Sequence, residues 1–194
     1  MRIWKMLLIL FLFAGCNEHY TPKPRGFFRI DFPQKSYHEL QGNYPYSFEV
    51  PDYSIIEKDS KNPNEPYWIN VDVPENKAEL HLSYYNLQNK TKPTSQLLFE
   101  LMEETRSLAY KHSIKADAID EQIFMNPGTK VYGTIYNIKG NAASPMQFFL
   151  TDSTSHFLRG ALYISEVPDI DSLQPVIDFL EPDLIRLIET TRWR

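Results

Sequence analysis

The chain of 194 residues has a single cysteine, Cys16. One thiol excludes a disulfide framework, so the core must hold together without covalent help. There is no basic excess either, since the formal net charge is -5. A nucleic-acid surface needs clustered Lys and Arg to meet phosphates, so nucleic acid is excluded as a partner. Past the first fifteen residues, no apolar run approaches the roughly 20 residues that cross a bilayer. Catalytic signatures are also missing. There is no dinucleotide or phosphate-loop glycine pattern, no HExxH and no GxSxG. The five histidines, His19, His38, His81, His112 and His156, include no i, i+4 helical pair that could aim two imidazoles at one metal. His81 and His156 fall in strand patterns and could meet within a sheet. Asp117, Asp120 and Glu121 lie too close together to form a defined carboxylate pair and read as a solvated strand start. No cofactor, metal or catalytic residue is expected.

What the chain does have begins at its start. Arg2 and Lys5 supply positive charge, and Met6 to Ala14 is an unbroken apolar run. That run is too short to span a membrane and has the length of a signal-peptide core. Ala14 and Gly15 are small, and Cys16 follows at the switch to the polar "NEHY". The order resembles a bacterial lipoprotein box, with Phe13 standing where Leu or Val is commoner. The resemblance implies thioether attachment of diacylglycerol at Cys16, cleavage before it, and acylation of the new amine. Two or more acyl chains hold a protein stably on a membrane, whereas one does so only marginally. An acylated Cys16 also leaves no thiol for catalysis. Residues 1–15 are thus expected as a lipoprotein signal peptide, and 16–26 as the lipidated cysteine and a proline-containing tether. Residues 27–194 are expected as one domain.

The chain is rich in aromatics, with 12 Tyr, 12 Phe and 3 Trp, which suit a pleated, half-buried surface. Period-two alternation predicts strands at "FFRIDF" (27–32), "PYSFEV" (45–50), "YSIIEK" (53–58), "YWINVDV" (67–73) and "AELHLSYYNL" (78–87). In the last of these Leu80, Leu82 and Tyr84 face inward. From Thr94 to His112 the spacing becomes helical, with Thr94 or Ser95 as N-cap. Four more strands follow, at 118–126, 130–140, 146–152 and 156–165. Their short turn-rich joins favour an antiparallel meander. Helical spacing from Asp171 to the end is interrupted at Pro182, where a bend is expected because the apolar stripe stays in register. Asp169 and Asp171 suit the positive end of that helix. The fold class is therefore α+β, a central, mostly antiparallel sheet with two main helices packed on it. The order of elements is similar to the sandwich shared by the Mog1 and photosystem PsbP proteins.

Arg159 is out of place inside an apolar strand, on the same face as Phe157, Ala161 and Tyr163. Two readings are open: a structural ion pair with Asp31, Glu49 or Asp72, or a ligand or partner contact. With His156 it defines one candidate interaction surface. Tyr67, Trp68, Tyr84 and Tyr85 form a second, though core packing explains them as well.

The segments "GCNEHYTPKPRGFFRIDFP", "YSFEVPDYSII", "YWINVDVPENKAELHLSYY" and "FLRGALYIS" resemble the gliding motility lipoprotein GldD family of the Bacteroidetes. The resemblance implies a lipoprotein needed for movement over surfaces and linked to type IX secretion. It carries over one residue, the lipidated Cys16, and no catalytic group. The expectation is a non-enzymatic component acting through contacts with other gliding and secretion proteins of the envelope. A periplasmic ligand- or glycan-binding lipoprotein is the alternative. The expected location is a membrane of the cell envelope, the outer before the inner, with the domain facing the periplasm.

Overall fold

A computed structural model describes residues 30–88, 92–166 and 169–194. The signal segment, Cys16, the tether and the first residues of "FFRIDF" lie outside the described residues. Asp31–Arg194 forms one compact unit. Its strands are β1 (Tyr37–Glu39), β2 (Tyr46–Ser47), β3 (Glu49–Pro51), β4 (Ile55–Lys58), β5 (Ile69–Val73) and β6 (Ala78–Asn86). Then come α1 (Thr94–Tyr110), β7 (Ala116–Asn126), β8 (Val131–Gly140), β9 (Met146–Thr151), β10 (His156–Ile164), α2 (Ile170–Thr190) and β11 (Arg192–Trp193).

Seven strands make the central sheet, in the order β4-β5-β6-β10-β9-β8-β7, and every neighbouring pair is antiparallel. The expected α+β architecture is present, meander included. Sequence alone did not show that β10 returns to lie between β9 and β6. Two small ladders, β1 with β3 and β2 with β11, stand beside the sheet.

Alternation along the strands divides the core in two. On one face Val71, Leu80, Leu82, Phe148, Leu158 and Leu162 pack under α2 through Val176, Leu180, Leu184, Leu187 and Ile188. Fully burying one such side chain contributes about 1.5–3 kcal/mol, so this face dominates the stability. The opposite face packs Tyr136, Ile138, Phe149 and Phe157 against Leu101 and Ala109 of α1. At the β4–β6 end of that face, Asn70, Asp72, Glu79 and His81 belong to neither apolar cluster.

Gly160 permits one close approach in the larger core. A Cβ there would lie 2.2 Å from the ring of Phe148, which is fully buried. α2 is one helix running through Pro175 and Pro182. Its buried residues continue on both sides of Pro182, so tertiary packing outweighs the lost hydrogen bond.

Several local expectations change. Asp31 and Phe32 are not in a strand, and Phe32 instead stacks on Phe179 at 4.3 Å. The "PYSFEV" segment divides at Phe48 between two partners, β11 and β1. At α1 the N-cap is Pro93, and the Thr94 hydroxyl donates to the Leu87 carbonyl rather than capping the helix.

Candidate functional site

Arg159 lies on β10 opposite Ser83 of β6 and Phe149 of β9. Its Nη2 donates to Gln147 Oε1 at 3.1 Å, while its buried Nε has no hydrogen-bond partner. Among the described residues it forms no ion pair with Asp31, Glu49 or Asp72. Glu49 is taken by Arg186 at 2.6 Å, and Asp72 lies two strands away, opposite Glu79. The expected pairing fails because β10 inserts between two strands that offer only uncharged neighbours at this row. The guanidinium charge also lies near His112, and it adds to the burial that pushes that imidazole's pKa down.

His156 is on the other face. It stands three positions before Arg159, and an odd spacing puts two strand side chains on opposite sides. Its Nδ1 is 2.9 Å from the Tyr84 hydroxyl, and its ring stacks on Trp193 at 5.1 Å. Burial pushes its pKa down against the pull of Asp152. His156 and Arg159 therefore do not share a site. His81 and His156 do not meet either, since His81 sits opposite Ala161 and His156 opposite Asn86. The four aromatics are also divided. Tyr84 is buried beside Tyr46, while Trp68 donates to the Tyr84 carbonyl at 2.8 Å and meets Tyr85 edge-on.

Polar groups do converge at the β4–β6 end of the α1 face. The Asn70 amide donates to Glu79 Oε1 at 2.6 Å, leaving its oxygen to accept from His81 Nδ1 at 2.9 Å. His81 Nε2 is 3.3 Å from Glu79 Oε2. Asp72 beside them has a buried Oδ1 with no hydrogen-bond partner. Burial, then the charges of Glu79 and Glu57, push its pKa up. Among the described residues, no three His, Cys, Asp or Glu side chains are arranged to hold a metal ion.

A second polar centre went unnoticed in the sequence. Asp183 on α2 is only 3% exposed. One of its oxygens accepts from Lys35 Nζ and from the Tyr37 hydroxyl, both at 2.6 Å, and the other accepts from the Tyr53 hydroxyl. Burial first, then the bond to Asp183, pushes Tyr37 up to about 12, and Tyr53 moves further in the same direction. The available signal was a carboxylate inside the apolar stripe, between Leu180 and Leu184. Its three partners are too distant in sequence to be read from it.

A cleft of 510 Å³ opens between the first half of α2 and the sheet. Asp117, Asp120, Asn137, Lys139, Gln174 and Glu181 give it polar walls, and Ile138, Met146, Leu162 and Ile177 are among its apolar lining. Neither Arg159 nor His156 reaches it.

These features define a mixed α+β protein built on one antiparallel sheet with a helix on each face. A solution structure of cyanobacterial PsbP (CyanoP) from Synechocystis is similar, with a TM-score of 0.49 and 10% identity, covering 86% of this chain and 98% of that one. No curated protein matches the sequence. The chain belongs to the gliding motility lipoprotein GldD family, whose family model matches residues 17–193. It is accordingly a membrane-anchored lipoprotein of the cell envelope with a role in gliding motility.

Proposed function

We propose that the protein is a non-enzymatic component of the gliding apparatus. It is held on a membrane by lipid at Cys16 and acts through contacts with other envelope proteins, those of type IX secretion included. The observation that carries this reading is the family match, which begins at Asn17, directly after the cysteine of the lipoprotein box. The envelope has two membranes, and the outer one, with the domain on the periplasmic side, is the assignment to test. Deleting the gene should abolish spreading on surfaces and reduce secretion. Crosslinking in intact cells should recover gliding or secretion proteins. Normal spreading and secretion in the deletion strain would sink the proposal. Membrane fractionation with protease protection decides the leaflet.

The 510 Å³ cleft favours one second reading, a periplasmic ligand- or glycan-binding lipoprotein, because its polar and apolar walls could hold a small polar molecule. Retention of the protein on peptidoglycan or envelope polysaccharide, lost on Glu181→Ala with Asn137→Ala, would support it.

A further inference from the structure

The two edges of the seven-stranded sheet are unlike. β4 is four residues long and ends on Lys58. Short length and lysine both blunt a strand edge against pairing. β7 is eleven residues long, contains neither proline nor lysine, and bulges only at its start, between Ala116 and Ala118. Among the described residues it pairs only with β8. Its other side carries a row of backbone N–H and C=O groups, which is what an added strand recognises.

The side chains beside this edge are patterned along its length. Glu121, Ile123 and Met125 share the face on which α1 lies. Glu121 accepts from the Tyr110 hydroxyl at 2.8 Å and from Arg106 at 3.4 Å. Phe99, Met102, Arg106 and Tyr110 fall on one stripe of α1 by their spacing. Phe99 is 65% exposed, Ile123 74% and Met125 69%. Large apolar side chains left out on a strand and on the helix beside it mark an interaction surface. The first half of the strand is acidic instead. Asp117 and Asp120 line the cleft together with Glu181, and Lys139 pairs with Asp120 at 2.6 Å.

We infer that β7 is the docking edge for an extended segment of a partner protein, added as a further antiparallel strand. The segment has alternating apolar residues in its first half and Lys or Arg in its second. This inference rests on the protein-contact reading above. Antiparallel addition sets the apolar half beside Ile123 and Met125 and the basic half beside Asp117 and Asp120. A second copy of this chain fits worse. Two β7 strands related by a two-fold axis pair residues of the same face. Centring them on Gln122 avoids opposing identical carboxylates. It sets Glu121 against Ile123 and Asp120 against Phe124 of the other copy, taking carboxylates out of water beside apolar groups. Both copies also carry a net negative charge.

The test uses the full lipoprotein in detergent micelles. The probe is a blocked peptide of about ten residues, alternating valine and threonine and ending in two arginines, long enough to match the strand. Amide exchange at alternate positions of 117–126 should slow by about tenfold or more when the peptide is added. Ile123→Lys with Met125→Lys should weaken the peptide by about tenfold or more, as should replacing its arginines by glutamates. Both substituted positions are exposed, and unchanged exchange in β6 and β10 confirms that the fold is kept. In cells the double variant should be present at normal level yet fail to spread. The inference is overturned by unslowed exchange, by equal binding of the glutamate peptide, or by protection placed elsewhere. It is also overturned if sedimentation shows a dimer whose β7 amides are protected without peptide. If gene deletion stops gliding but the double variant glides normally, only this inference fails. If deletion has no effect, the functional proposal itself fails.

Discussion

Asp183 shows how much one residue can organise. It satisfies Lys35, Tyr37 and Tyr53 from within an apolar helix face. Removing one partner of a buried, bonded charge strands the others, at a cost of about 3 kcal/mol. Asp183→Ala should lower stability by that order in urea unfolding. Lys35→Met should cost less, about 1 kcal/mol, because the Tyr37 and Tyr53 hydroxyls still bond the carboxylate. Equal losses would mean the tyrosines contribute nothing. Titration gives a second handle. His156 and His112 both have pKa values depressed, chiefly by burial. The unfolded chain then binds protons first, so stability is full above the ordinary histidine value of about 6.5 and falls as pH drops through it. Thermal unfolding followed from about pH 7.5 to 5.5 should show this fall, and His156→Gln should flatten part of it. At the alkaline end the sign reverses. Tyr37 keeps its proton up to about 12, so its contribution is present at neutral pH and is lost as pH rises from the ordinary tyrosine value, about 10, towards 12.

Elements were the most legible level of the sequence. The alternation of Leu80, Leu82 and Tyr84 named the buried face of β6 correctly, because a half-buried strand can hide only every second residue. The same rule, applied to a spacing of three, would have put His156 and Arg159 on opposite faces. What could not be read was strand order. An ion pair with a carboxylate was one of two readings for Arg159, and its true neighbours, Ser83 and Phe149, follow from β10 inserting between β6 and β9. Long-range order leaves little trace in a local pattern. The Gly160 row gives a clean test of the packing between those strands. Gly160→Ala should cost about 1–3 kcal/mol by overpacking against Phe148, measured as a shift in the urea midpoint at unchanged slope. A neutral substitution would mean that Phe148 has room to swing away.

At the scale of the whole molecule, the first residues say where the protein works and the domain says how it could meet a partner. Cys16→Ser should abolish fatty-acid labelling and move the protein from the membrane to the soluble fraction. Unchanged labelling would refute lipidation at that position. The anchor is proposed at Cys16 because a lone cysteine at an apolar-to-polar switch is a local signal. The Asp183 centre was not legible, since its carboxylate and its partners Lys35, Tyr37 and Tyr53 come from opposite ends of the chain and converge only on folding.

That centre also fixes where a mechanical load enters the fold. Tension from an N-terminal anchor reaches Phe32, Lys35 and Tyr37 before any strand of the main sheet. These residues are tied to α2 by a stacked ring and by bonds to one carboxylate, and β1 adds a ladder to β3 alone. Pulling would strip this short strap first and extend the chain by its length, while β4 to β10 stayed intact.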